Sequence, residues 1–255
     1  MATDSLAQKS DIKPPHVSVV IPVYNEEAYL PQCLDSLFAQ TITADAIYVI
    51  DNNSTDKSMA IAKKYTSVTI LKQTVQGISA TTKAGLDAAA KNGGILLRCD
   101  ADSRPTQDWI EQVLALFERH SGCIAVTGPG VSYDVGAVRR TLIDYLYMKP
   151  YFLLVGSALG SKPLFGSNFA IKADAWKSIA EDTHLHIQQN IHDDIDLSYH
   201  LKNVGAVHFD KNLKMPISAR PFKDVRTLPA RYTAGMRSVL LHWPEQSPWR
   251  LREKR

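Results

Sequence analysis

The chain has 255 residues, 45% of them hydrophobic and 22% charged, with a formal net charge of +3. That length and composition suit one large α/β domain, or one domain with an appended segment, and exclude a low-complexity chain. Three cysteines, Cys33, Cys99 and Cys123, form no close pair. This excludes a disulfide framework or a zinc ribbon and makes a reducing cytoplasm the simpler setting.

The opening "MATDSLAQKSDIKPP" has no apolar stretch, so no signal peptide is expected, and residues 1–15 read as a disordered tail. No run approaches ~18 unbroken apolar residues, so no membrane span is expected. "HVSVVIP" from His16 reads as a buried strand. "EEAYLPQCLDSLFAQ" from Glu26 reads as a helix, with Leu30, Cys33, Leu34 and Leu37 at helical spacing and Pro31 tolerated near its start. Strands follow at "DAIYVID", "SVTILK", "GILLRCD" and "CIAVTG". They alternate with helices at "DKSMAIAKKY", "SATTKAGLDAAAK" and "TQDWIEQVLALFERH". This alternation means βαβ units and a parallel sheet covered on both faces. Later, "AVRRTLIDYLYMKPYFLLVG" from Ala137 begins helical and turns apolar, "KPLFGSNFAIK" looks extended, and "HDDIDLSYHLKNVG" reads as a helix that stops at Gly205.

Such sheets bind ligands beyond the carboxyl ends of their strands. Three of those ends are polar here: Pro22 to Glu27, Asp51 to Asp56, and Asp100-Ala101-Asp102. Asp100 and Asp102 would point the same way on a strand, and two close carboxylates persist cheaply only in water or beside a cation. The bland reading is a solvated turn; the functional one is Mg²⁺ or Mn²⁺ held by Asp102, or by both, against a diphosphate. Asp51 either belongs to a helix-capping turn or accepts from a base or ribose, with Tyr24 near enough to stack on a base. Asp193, Asp194 and Asp196 crowd one helix start, beyond what dipole stabilisation explains, and one of them is a candidate general base. His192, Asp196 and His200 recur every four residues, either as an exposed ladder or as metal ligands. Gly166 and Asn168 mark a tight bend or a close backbone approach.

Charge is uneven. From Lys211 to Arg255 there are eleven Lys/Arg against three Asp/Glu, leaving eighteen against twenty-three elsewhere. The basic segment is either a solvated tail or a surface for phosphates or an anionic membrane. Without interleaved aromatic stacking groups, nucleic acid is not the expected partner.

Taken in order, these motifs resemble family 2 glycosyltransferases of the GT-A fold. "VSVVIPVYNEE" resembles the opening strand and turn, "YVIDNNSTDKS" the second strand and Asp-rich turn, and "DAD" the metal motif. "FGSNFAIKADAW" resembles the acceptor-side segment, and "DDIDLSYHLKNVG" the acidic helix. The likeness runs from about His16 to Gly205. It implies an α/β fold: a Rossmann-like, mostly parallel sheet flanked by helices, with a smaller acceptor-side part and a basic C-terminal helical segment. Residues 16–210 would form the catalytic domain, with a nucleotide half to about 130 and an acceptor half from 131. Residues 211–255 would pack on the site or close over it.

The resemblance implies transfer of one sugar, with inversion, from a nucleotide-diphosphate donor, UDP-sugar favoured, to an acceptor hydroxyl. Tyr24 and Asp51 would hold the base in a pocket shaped by Pro22, Asn25 and Glu26. Asp100 would touch the ribose and Asp102 the metal, Mg²⁺ or Mn²⁺. Asp194 matches the family's catalytic base; Gly166, Asn168 and Asp193 would flank the sugar and acceptor. Asp193 stands where the family usually has Glu, and His200 where it has Arg. Thr81-Thr82-Lys83 replaces a usual Ala-Arg-Asn, with Lys83 offered as a substitute charge. Of Arg220, Lys223, Arg226 and Arg231, some, with Arg220, Lys223 and Arg226 foremost, are expected on a loop closing over the diphosphate. The apolar stretch from Tyr145 to Phe165 and the basic tail, with Trp243 and Trp249, suit a lipid-linked acceptor and a peripheral position at the inner membrane face. Two rivals remain at this point: a metal-dependent phosphohydrolase with an Asp-x-Asp nucleophile, and a non-catalytic nucleotide-sugar binder.

Overall fold

A computed structural model describes residues 14–185, 191–222, 228–243, 245–247 and 250. Most of the expected N-terminal tail, Lys223, Arg226, Trp249 and the side chain of Arg231 lie outside the described residues.

The first half is a run of βαβ units: β1 (Val17–Val23), α1 (Leu30–Phe38), β2 (Ala46–Asp51), α2 (Ser58–Ala62), β3 (Val68–Lys72), α3 (Ile78–Ala90), β4 (Ile95–Arg98), α4 (Trp109–Arg119) and β5 (Cys123–Thr127). The second half contains β6 (Gly130–Ser132), α5 (Ala137–Ile143), a π-helical turn (Asp144–Met148), α6 (Lys149–Leu159), β7 (Phe169–Lys172), α7 (Ala173–Ile179), α8 (Asp193–Leu201), β8 (Ala206–Phe209) and β9 (Met215–Ile217). A 3₁₀ turn (Arg220–Phe222) and α9 (Leu228–Leu241) complete it. The apolar periodicities account for the local choices. Every residue of β1 is buried, as a strand covered on both faces requires. α1 buries Leu30, Cys33, Leu34 and Leu37 along one stripe, with Pro31 in its first turn where no N–H is needed.

The seven-stranded sheet has the order β3-β2-β1-β4-β7-β5-β8. β7 runs antiparallel to both β4 and β5, and the other pairings are parallel. β6 and β9 form a separate parallel pair, so residues 215–217 are built into the fold beside residues 130–132. Alternating strand residues divide the core. Val19 and Ile21 face α1 and α4, whereas Val20 and Ile50 face α3, α7 and α8. β2 lies on one side of β1 and β4 on the other. The chain therefore reverses direction across the sheet between them, and such a switch point opens a crevice at the strand ends.

Candidate active site

The loops after β1 and β4 flank that crevice, and a cavity of about 700 Å³ lies there. Of the residues expected at the site, Pro22, Tyr24, Glu26, Asp100, Asp102, Gly166, Asp193, Asp194 and Arg220 line it. Arg98, Tyr147, Ser167 and Thr81 join them, as do Ala230 and Ala234 from α9.

β4 ends at Arg98, so the acidic pair stands on a turn, closed by the Ser103 N–H donating to the Asp100 carbonyl at 3.0 Å. The strand alternation expected for the pair does not apply, yet both carboxylates face the cavity. Asp100 pairs with the Arg98 guanidinium at 2.9 Å and accepts from the Ser167 hydroxyl. Asp102 is 9% exposed, and its carboxyl is pushed up to about 7. Burial is the main cause; Asp100 and Glu26 add to it, against Arg220 and Arg98. Arg220 bridges the two loops. It reaches the Glu26 carboxylate through two nitrogens, at 2.6 and 2.9 Å, and Asp102 at 3.3 Å. The Asp134 carboxylate fixes the approach to this turn by accepting from the Ser218 hydroxyl and the Ala219 N–H. Three carboxylates around a buried turn, with one guanidinium among them, form a donor set suited to a hard divalent cation.

Across the cavity, α8 presents Asp193 and Asp194. Asp194 Oδ2 accepts from the Gly166 N–H at 2.9 Å and from the Tyr151 hydroxyl at 3.0 Å, and Oδ1 accepts from the Ile195 N–H. Its carboxyl is nevertheless raised, first by burial and then by Asp193, while His192 and those hydrogen bonds oppose the shift. Gly166 permits this close approach, because a Cβ there would lie 2.8 Å from an Arg98 guanidinium nitrogen and 3.3 Å from Asp194 Oδ2. Asp193 accepts from the Thr82 hydroxyl at 2.7 Å and lies 3.4 Å from the Arg98 guanidinium. Arg98 thus ties Asp100 to Asp193, joining the two acidic groups.

Other expected residues do not face the cavity. Asp51 is buried in its own turn and accepts from the Ser54 N–H at 2.9 Å. Its neighbour Asn52 lines the cavity and links the β2 end to the α3 entry, donating to the Gln73 and Val75 carbonyls and accepting from the Gly77 N–H. Asn25 has φ +54° and accepts from the Thr55 N–H, organising the β1 and β2 turns. Asn168 is fully buried, accepting from the Trp109 indole and donating to the Leu213 carbonyl. Lys83 points away to Asp87 and Glu181, so Thr82, and not Lys83, makes the contact with the acidic helix. Arg98 went unassigned in the sequence reading although one signal was there: a charge inside an apolar strand, "ILLR", just before the acidic pair. Tyr151 and Ser167 carried no such mark.

The profile of glycosyl transferase family 2 matches residues 18–176, more than half of the chain. The chain belongs to this family. Among the relatives of this family 2 member is glycosyltransferase AglE of Haloferax volcanii, 27% identical over 206 residues. That match covers 77% of this chain and 60% of AglE, so the chain spans less than two thirds of that relative. The fold is of the GT-A type. Glucosyl-3-phosphoglycerate synthase of Mycobacterium tuberculosis, crystallised with Mn²⁺, UDP and phosphoglyceric acid, superposes with a TM-score of 0.61 at 19% identity. The match covers 89% of this chain and 78% of that one. Mannosyltransferase PcManGT of Pyrobaculum calidifontis, crystallised with GDP-Man and Mn²⁺, superposes with a TM-score of 0.59 at 16% identity, covering 91% and 71%. At these identities the likeness is one of fold. Family membership sets aside the phosphohydrolase reading.

Proposed function

We propose that this family 2 protein transfers one sugar, with inversion, from a nucleotide-diphosphate donor, UDP-sugar favoured, to an acceptor hydroxyl. One observation carries the reading: the Asp102 turn and the Asp194 helix line the same cavity. Tyr24, 52% exposed at the rim, offers a face for the base, and Asp100 an acceptor for a ribose hydroxyl. Asp102, with Glu26 and Asp100 beside it, would hold Mg²⁺ or Mn²⁺, as the UDP and GDP-Man complexes of the two structural relatives suggest. When bound, the cation supplies charge stabilisation for the departing diphosphate. Arg220, 3.3 Å from Asp102, would be free to turn its guanidinium toward the diphosphate with Asp102 engaged by a cation. Asp194 removes the acceptor proton while the hydroxyl attacks from the face opposite the diphosphate, and a single displacement by one carboxylate base inverts the centre. The Gly166 N–H and the Tyr151 hydroxyl hold Asp194 Oδ2 in place. Burial keeps its basicity above that of a solvated carboxylate.

Calorimetry with UDP, GDP and dTDP, each with Mn²⁺ or with EDTA, tests the donor half. Metal-dependent binding of UDP in preference to the others is the expected result, and no binding by folded protein would remove the donor site. Arg220→Ala is expected to weaken UDP binding; unchanged affinity would remove Arg220 from the diphosphate. Retained UDP binding without turnover in Asp194→Asn separates an enzyme from a binder.

For the acceptor, the reading is a lipid-linked molecule at an anionic bilayer face. Val138, Leu142, Tyr145, Leu146, Leu153 and Leu154, on α5, the π-helical turn and α6, are each more than half exposed. A second cleft of about 1010 Å³ lies beside them, combining Met148 and Phe152 with Arg140, Lys149, Lys211 and Lys214. Tyr147 lines the first cavity and Met148 the second, so one turn of helix separates the two. No helix among the described residues is long and apolar enough to cross a membrane, so the contact would be peripheral. Co-sedimentation with phosphatidylglycerol vesicles, lost in Leu146→Glu/Leu153→Glu, is the expected result. Equal partition of both proteins would overturn it.

A further inference from the structure

On the opposite side of α8 from the cavity lies a cluster that the transfer reaction does not use. Asp194 and Asp196 are two residues apart on that helix, hence roughly 200° apart around it. Asp194 lines the cavity and Asp196 does not. Asp196 is fully buried, and three imidazoles converge on its Oδ1: His184 Nδ1 at 2.8 Å, His242 Nε2 at 3.0 Å and His200 Nε2 at 3.7 Å. The four ligand atoms all lie within 4.8 Å of one another. Only Asp196 and His200 come from the i, i+4 spacing visible in the sequence. His192, the third member of that ladder, turns toward Asp194 instead, and His184 and His242 arrive from the segment after α7 and the turn after α9.

Hydrogen bonding alone leaves this cluster incomplete. Three donors on one carboxylate oxygen require each imidazole to carry its proton on the inward nitrogen. Yet His200 Nε2 is buried without a hydrogen-bond partner, and 3.7 Å is too long for one. With the proton on the other nitrogen, a lone pair would face a carboxylate inside the protein. A cation among the four atoms resolves both cases, since imidazole lone pairs and a carboxylate then point at positive charge.

We propose that His184, Asp196, His200 and His242 form a second metal site, for a borderline transition-metal dication of which Zn²⁺ is the expected occupant. Three imidazole nitrogens with one carboxylate are the donor set that Zn²⁺ accepts in four-coordinate sites, whereas Mg²⁺ and Mn²⁺ favour oxygen. A tetrahedron with Zn–N arms of ~2.0–2.1 Å has ligand edges of roughly 3.3 Å, which lies between the shortest and longest separations here. His184, 31% exposed, gives an entry path. The site is structural in its placement. It joins the segment after α7, helix α8 and the turn after α9, and α9 contributes Ala230 and Ala234 to the active-site wall. Occupancy therefore fixes α9 against the base-bearing helix.

The test uses the full chain, stripped with EDTA. Zn²⁺ titration against a chromogenic chelator, with unfolding temperature read in parallel, should give one tight equivalent and a raised unfolding temperature. Asp102→Asn should leave both unchanged. His200→Ala and His242→Ala should weaken that equivalent by more than the ~10–100-fold that loss of an outer partner costs and abolish the temperature rise. Co²⁺ added to the wild-type protein should give the visible absorption of a four-coordinate nitrogen and oxygen site, a readout that needs no variant to fold. Absence of a tight Zn²⁺ equivalent in the wild type, or its survival in both His variants with loss in Asp102→Asn, would overturn the proposal. UDP binding is scored separately, so failure of the donor site and failure of this site are distinguishable.

Discussion

Asp102 holds its proton to about pH 7 because burial and two neighbouring carboxylates disfavour the charge. An unfolded aspartate loses its proton near pH 4. Between those values the folded protein binds the extra proton, so stability falls as pH rises through the window. In EDTA the unfolding temperature is expected to drop between pH 5 and pH 8, with a shallower drop in Asp102→Asn; Mn²⁺ above pH 7 should restore it. Scanning fluorimetry across that range checks all three. Asp194→Asn keeps the shape of the side chain but removes its basicity, and its amide NH₂, which cannot accept, gives up either the Ile195 N–H contact or the paired Gly166 N–H and Tyr151 hydroxyl contacts. An expected loss of ~10²–10⁴-fold in kcat is read by release of the nucleoside diphosphate. Arg98 is 2% exposed and serves Asp100 and Asp193 together. Arg98→Met strands two carboxylates, and a cost of about 3–5 kcal/mol in chemical denaturation is expected.

At the scale of elements, small residues decide how closely α3 approaches the sheet. A Cβ on Gly85 would meet Val20 Cγ1 at 2.3 Å and Ile50 Cγ1 at 2.9 Å, across β1 and β2. Gly85→Ala therefore overpacks the layer directly behind the two nucleotide-side turns. A loss of about 1–3 kcal/mol is expected from its denaturation midpoint. The periodicity of α1 and the all-apolar β1 were legible because burial on one stripe, or on both faces, writes a repeating pattern into the chain. α2 came out shorter than expected, and β4 stopped at Arg98, because turn hydrogen bonds around Asp100 compete with the ladder. The exposed arm of α5 and α6 follows the opposite logic: no element of the described fold covers its apolar residues Val138, Leu142, Leu146, Leu153 and Leu154.

For the molecule as a whole, the strand order matters most, since it brings the β1 and β4 ends to one crevice and lets residues 215–222 fold back over it. A donor that needs both the cation and Arg220 stabilises the assembled cavity only when both are in place. UDP at 100 times its Kd should add ~2.7 kcal/mol with Mn²⁺ and clearly less with EDTA, as thermal shift measures.

The sequence by itself determined the α/β alternation, the acidic pair at the end of the fourth strand, the acidic helix start and the family likeness. These are local patterns, carried by residues within a few positions of one another. Only the tertiary structure decided that Arg98 joins Asp100 to Asp193, that Tyr151 and Gly166 hold Asp194, and that Asn25, Asp51 and Asn168 organise loops and core away from the cavity. It also decided that His184 and His242 join Asp196 and His200. Most of those partners are distant along the chain, from the 28 residues between Gly166 and Asp194 to the 95 between Arg98 and Asp193. No spacing rule spans such gaps: the contacts exist because the sheet order and the helix packing bring the segments together, and burial then makes each unpaired charge too costly to leave alone.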